Sequence, residues 1–363
     1  MERRDEIAEK LARVREWLVE ARAGAVHVAG NGAFAWLTCG GDNCVSLGSD
    51  EGAAAVMVTP DRAFVLAANN EMRRIRDEEL AEGAFEPVTW PWHQPEQARA
   101  VVDRLAAGAR VVSDLGQLGL PRADPSFAAL RFTLLAPEIE RYRRLGRDAA
   151  AAVETACTDA RPGQRERDIA AQVVRACVAR GIQPLVVLVA GDQRIAQYRH
   201  PIPTEYAWQR SLLVALTGRR MGLHASLTRM VSLDAELTAR FRAVQQVDAA
   251  MLVASRPGAT LGDVLARGQV EYANAGVPSE WELHHQGGLT GYAGRERFAV
   301  PGDPHVLTAA QVVAWNPSIT SVKSEDTALV TARGPEVLTV TEGWPRELVR
   351  VGDGAIERPA LLA

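Results

Sequence analysis

Three of the seven histidines in this chain stand in segments suited to chemistry: His200, within Tyr198-Arg199-His200-Pro201, and the adjacent pair His284 and His285. Histidine takes and gives a proton near neutrality, because its reference pKa is about 6.5. The prolines around His200 place it in a loop, where catalytic groups are common. By residue type alone a core histidine is more often structural, so the surrounding pattern has to decide. After His285 come Gly287, Gly288 and Gly291, which either let a backbone approach a ligand or form ordinary tight turns. Trp281, Tyr292, Arg295 and Glu296 would give that segment a partly aromatic rim.

Arg194, Arg199, Arg229, Arg295 and Lys323 flank these segments, with Glu325 close behind the last. Gathered in one cavity, they would make it neutral or positive and favourable to a carboxylate-bearing molecule. The alternative is that they are solvated or paired elsewhere. Asn316, Ser226, His285, Tyr292, Arg295 and Lys323 are the candidate substrate contacts.

Leu212–Arg229, LLVALTGRRMGLHASLTR, reads as two strands around a turn. Apolar residues run through Leu212–Leu216, Thr217–Gly222 supply glycine and charge, and alternation resumes at His224. Ala215 and Ser226 then lie on partnered strands. Two aspartates in those places could meet across the ladder and hold a divalent ion. Ser226 as a nucleophile would need an adjacent base, and His224 is not assured to be one.

The elements that position these residues belong to a two-domain chain. A length of 363 residues with 47% hydrophobic content supports two cores. No apolar run reaches a membrane span and the charged start is no signal peptide, so a cytoplasmic protein without a membrane partner is expected. A net charge of −4 without a basic stripe argues against nucleic acid. Cys39, Cys44, Cys157 and Cys177 lack metal-ligand spacing and suit buried thiols in a reducing compartment.

An amphipathic helix opens the chain, with Ile7, Leu11, Val14, Leu18 and Ala21 at helical spacing. Strands are expected at residues 25–29, 53–59, 63–66 and 110–114, with a helix over 94–107, which makes an α/β domain. A second helix starts after Pro137, and the boundary is placed there, giving domains 1–136 and 137–363. The second domain carries a repeat. Arg161-Pro162-Gly163 leads to Asp168 and Gly181, and Arg256-Pro257-Gly258 leads to Asp263 and Gly276, every member 95 positions after its counterpart. Each copy reads as helix, Pro-Gly stop and glycine-capped helix.

Several segments resemble the prolidase, methionine aminopeptidase and creatinase superfamily, whose fold is called pita-bread. The family's Asp-Leu-Gly and Ser-Asp-Leu-Thr-Arg resemble Ala215-Leu216-Thr217-Gly218 and Ala225-Ser226-Leu227-Thr228-Arg229. Its His-Gly-x-Gly-His segment resembles His284-His285-Gln286-Gly287-Gly288. Its Thr-Ile-Glu-Pro-Gly and Arg-Ile-Glu-Asp-Thr resemble Ala314-Trp315-Asn316-Pro317-Ser318 and Lys323-Ser324-Glu325-Asp326-Thr327. Asn31–Gly40 resembles a segment of the creatinase-type N-terminal domain. The resemblance implies an α/β two-domain protein with that N-terminal domain before a pseudo-twofold pita-bread domain. It also implies a homodimer in which the N-domain reaches toward the partner's site.

Of the five metal positions the resemblance implies, Ala215, Ser226, Gly288 and Asn316 have lost their ligands and Glu325 alone keeps a carboxylate. Arg295 stands where peptidase members carry another histidine. One acidic donor cannot hold a dinuclear centre, which takes three or four protein ligands per ion. A one-residue slip that recruits His224, His285 or Asp326 would turn each side chain to the other face. The expectation is therefore no metal and no cofactor.

Creatinase, which works without metal, gives the leading reading: hydrolysis of a C–N bond in a small polar molecule. His200 is then the acid and base, His284 binds substrate or oxyanion, and Glu325 orients. The rival readings are a non-catalytic protein that binds a peptide or metabolite, and a metal-dependent Xaa-Pro dipeptidase.

Overall fold

The computed structural model describes residues 1–352 and 354–363, and the chain forms two compact units. One comprises Met1–Glu138 with Met221–Leu223; the other comprises Ile139–Arg220 and His224–Ala363.

The first unit opens with α1 (Arg3–Glu20), whose Ile7, Leu11, Val14 and Leu18 are buried as their spacing predicts. A five-stranded sheet follows, built from β1 (Ala25–Gly30), β2 (Glu51–Val58), β3 (Ala63–Ala68), β4 (Glu86–Trp90) and β5 (Val111–Ser113), in the order β4-β3-β2-β1-β5. β1, β2 and β3 pair antiparallel, while β4 and β5 join parallel at the edges. Short helices α2 (Asn31–Leu37) and α3 (Asn69–Arg74), then α4 (Gln97–Ala106) and α5 (Pro125–Ala129), complete it. Its core joins Met57, Phe64 and Leu66 of the sheet to Val101 and Val102 of α4.

The second unit is built on the repeat. α6 (Ala136–Asp159) and α7 (Glu166–Val178) form one helix pair; α9 (Glu236–Ala254) and α10 (Leu261–Asn274) form the other. Between the pairs lie β6 (Gln183–Gly191), the short α8 (Gln193–Gln197), β7 (Ser211–Arg220) and β8 (Leu223–Ser232). Gly163 and Gly258 take φ of 92° and 93°, and Gly181 and Gly276 take 66° and 75°, so each conserved phase of the repeat marks a left-handed backbone that glycine adopts without strain.

Three strands, β6-β7-β8, make one sheet. Five make another: β9 (Gly287–Thr290), β10 (Arg297–Phe298), β11 (Val312–Trp315), β14 (Asp326–Leu329) and β15 (Glu336–Val337), with the small pair β12 (Ser318–Ile319) and β13 (Val322–Lys323) beside it. An isolated bridge between Thr228 and Glu325 ties β8 to the start of β14. Ser226 N donates to Thr327 Oγ1, which donates back to Ser226 O, and the two sheets are sewn together beside the candidate site.

The hairpin turn is shorter than the sequence suggested. Thr217–Arg220 stay in β7, and only Met221 and Gly222, at φ 52° and 80°, form the turn. Gly218 misled because its role is packing within a strand: Ile182 Cγ2 lies 2.6 Å from where its Cβ would stand.

Among the described residues no helix is long and apolar enough to cross a membrane. None of the four cysteines is in a disulfide; Cys39, Cys157 and Cys177 are buried, while Cys44 is only half-buried.

Candidate functional site

His200 is carried by a loop whose shape is fixed from two sides. The buried Glu166 carboxylate accepts from Gly191 N (2.9 Å), Thr204 N (2.8 Å), Thr204 Oγ1 (2.7 Å) and Arg194 Nε (2.9 Å). Asp192 accepts from Gln209 N, Arg210 N and Ser211 N at 2.8–2.9 Å. Asp192 also accepts from Tyr206 Oη at 3.0 Å, so four donors reach each carboxylate and hold both ends of the loop. Neither acid was singled out as a site residue from the sequence. Glu166 gives no signal there beyond being a helix-start acid.

The loop is then tied to the segment that bears His284. Arg199 Nη2 lies 2.6 Å from Glu280 Oε2 and 2.9 Å from Thr320 Oγ1, and its Nη1 donates to Ser318 Oγ at 3.1 Å. Gln286 fixes the other side: its Nε2 donates to the carbonyls of His284 (2.6 Å) and Trp281 (3.0 Å), and its Oε1 accepts from Tyr272 Oη (2.8 Å).

These supports bring His200, His284 and His285 together. The Nε2 atoms of His200 and His284 are 3.0 Å apart, and the His285 ring stacks on His284 with centroids 4.4 Å apart. Phe298 meets His285 edge-on at 5.0 Å. His284 is buried, whereas His200 and His285 are exposed. Burial, with Lys323 and the neighbouring rings, drives His284 down to about 2. Burial and Arg295 take His285 to about 4, and burial followed by Lys323 lowers His200. All three rings are therefore neutral at physiological pH.

Glu325 is not directed at the histidines. Its Oε2 lies 2.8 Å from Lys323 Nζ and accepts from Thr228 Oγ1 at 2.7 Å, while Oε1 lies 3.6 Å from Arg295 Nη2. Burial raises its pKa, but Lys323, Arg295 and the Thr228 hydroxyl outweigh that and carry it down to about 2. The orienting role expected for Glu325 is thus directed at Lys323 and Arg295. Thr228, which was not singled out as a site residue, completes the set.

The other positive residues are elsewhere. Arg194 pairs with Glu166, Arg199 with Glu280, and Arg229 with Glu154 and Asp326. The positive pocket of the sequence reading reduces to Lys323 and Arg295. Tyr292 is 2% exposed and belongs to the core instead of a rim.

The five metal positions do not fit a dinuclear centre. Ala215 offers no donor, and Ser226 Oγ is engaged with Thr217 Oγ1 at 2.9 Å. Gly288 has φ 147°, and a Cβ there would stand 2.2 Å from Arg297 O, so the backbone leaves no room for the histidine that the resemblance implies at this position. The glycines Gly287 and Gly288 sit in β9 against neighbouring strands and form no free turn. Asn316, where the resemblance implies a carboxylate, presents an amide whose Oδ1 is buried and unpartnered. Glu325 already has two side-chain cations.

A duplicated set of helix pairs around joined antiparallel sheets defines a pita-bread protein of the prolidase, aminopeptidase P and creatinase superfamily. Residues 140–332 match metallopeptidase family M24, and the chain belongs to that family. It is similar to the probable dipeptidase PepE of Mycobacterium tuberculosis, 26% identical over 202 residues, 52% of this chain and 53% of the relative. The match thus spans about half the length of that relative. In fold it resembles the prolidase from Pyrococcus horikoshii OT3, with a TM-score of 0.77 and 18% identity over 92% of this chain and 99% of the other. The dipeptidase PepE from Mycobacterium ulcerans gives a TM-score of 0.76 and 18% identity over 93% and 96%.

Proposed function

We propose that this chain is a hydrolase of the Xaa-Pro dipeptidase kind, cleaving a C–N bond in a short peptide or small amide by histidine acid and base chemistry. The dipeptidase and prolidase relatives support the class of bond. The 3.0 Å contact between His200 and His284 carries the chemistry.

When His200 donates from Nε2 to His284, its Nδ1 keeps a bare lone pair. A water positioned there gives its proton to His200 as its oxygen attacks the amide carbonyl. The imidazolium keeps its bond to His284, then passes the proton to the leaving nitrogen as the C–N bond breaks. Lys323 and Arg295 would receive a substrate carboxylate, since with Glu325 they leave one net positive charge among neutral rings. A homodimer in a reducing cytoplasm completes the proposal.

The test is to incubate chelator-treated protein with Xaa-Pro dipeptides and small N-acyl amides and to follow the released amine. Turnover that survives chelation and is lost in His200→Asn supports the reading. Turnover abolished by chelation favours the metal-dependent dipeptidase suggested by the relatives' names. Binding without turnover, unchanged in His200→Asn, favours a non-catalytic binding protein.

A further inference from the structure

We propose that His200, His284 and His285 form a mononuclear site for a divalent transition metal of the zinc class, separate from the five altered carboxylate and histidine positions. One ligand atom from each ring lies within 4.8 Å of the others, the one such group of histidines, cysteines and acids among the described residues. Tetrahedral zinc with Zn–N bonds of 2.0–2.1 Å puts its ligands about 3.3 Å apart. The 3.0 Å separation of the His200 and His284 Nε2 atoms is already near that edge. His285 has to close the remaining gap, and its exposed ring can do so by side-chain rotation. Three imidazoles suit zinc, copper and nickel better than manganese or magnesium.

His284 also has a buried, unpartnered Nδ1, the ring atom left to carry the proton when Nε2 faces a metal. The charges facing the trio act in both directions: Lys323 and Arg295 oppose a cation, and Glu325 offsets part of that. A site weaker than a neutral three-histidine centre follows.

The inference shares residues with the proposed function but is measured apart from it. Metal on His200 Nε2 shifts the ring proton to Nδ1 and so fills the lone pair that the hydrolysis uses, and zinc inhibits that activity instead of supporting it.

The experiment titrates zinc into chelator-treated full-length protein by calorimetry, with cobalt(II) as an optical probe of tetrahedral coordination. We expect one equivalent, a cobalt spectrum of tetrahedral intensity, and Kd raised roughly tenfold or more in His285→Ala and in His200→Ala. His93→Ala, which removes an exposed histidine outside the trio, leaves Kd unchanged. Absence of a one-equivalent site, or binding that neither trio variant weakens, overturns the proposal. Binding without C–N cleavage retains the metal site and removes the hydrolytic reading; cleavage without binding does the reverse.

Discussion

Lys323 Nζ and Glu325 Oε2 are 2.8 Å apart and both side chains are almost fully buried, at 7% and 6% exposure. The family resemblance implies a metal ligand at the position of Glu325. Here a side-chain ammonium neutralises that carboxylate, with Arg295 on its other oxygen.

Replacing Glu325 by glutamine should therefore be a stability lesion first. Two buried cations lose their counterion, and removing one partner of a buried pair costs about 3–5 kcal/mol. Urea unfolding of Glu325→Gln against the parent chain measures it. A change within about 0.5 kcal/mol, the scale of an ordinary surface substitution, contradicts the pairing.

Gly288→Ala should be destabilising by about 1–3 kcal/mol or more, because its Cβ would meet Arg297 O at 2.2 Å on a φ of 147°. Gly288→His should be no milder, and it should restore no metal binding. Thermal unfolding and metal titration of the two variants read both effects. A stable Gly288→His that gains an ion would show that the closed backbone opens readily.

Arg199 is a positioning residue through its bonds to Glu280, Thr320 and Ser318. Arg199→Met should loosen the segment around residues 198–203, read as faster amide exchange, and lower turnover roughly tenfold or more with little change in KM. Arg199→Lys should recover only part, because lysine lacks the planar fork. Unaltered exchange would leave Arg199 as a surface ion pair.

His27, in β1 of the first unit, is 5% exposed, and burial lowers its pKa to about 4. In the unfolded chain the same ring titrates near 6.5. Between these values the unfolded state binds more protons, so stability is full above about pH 6.5 and falls as pH drops toward 4. The loss is at most roughly 3 kcal/mol. His27→Leu should flatten the slope in that window relative to the parent chain, and parallel slopes would remove His27 from the account.

The repeat was readable from Arg161-Pro162-Gly163 and Arg256-Pro257-Gly258 because glycine at positive φ leaves a mark in sequence that few other constraints do. His200 and His284 were readable through short motifs, and the structure brings them into contact. What sequence could not supply was orientation. Glu325 could face histidines or cations, and only three-dimensional packing aims it at Lys323 and Arg295. Arg194, Arg199 and Arg229 look the same in sequence as Arg295, yet each has its own acid at a distance of tens of residues in the chain. His285, read as a substrate contact, gained a ligand-like placement because its ring stacks on that of its neighbour.

The most direct test of the central claim is metal stoichiometry on the purified chain offered manganese and cobalt, measured for the parent and for Glu325→Ala. The account predicts no pair of ions that depends on Glu325, and at most one ion held through His200, His284 and His285. Two equivalents of manganese or cobalt, lost together when Glu325 is removed, would contradict it.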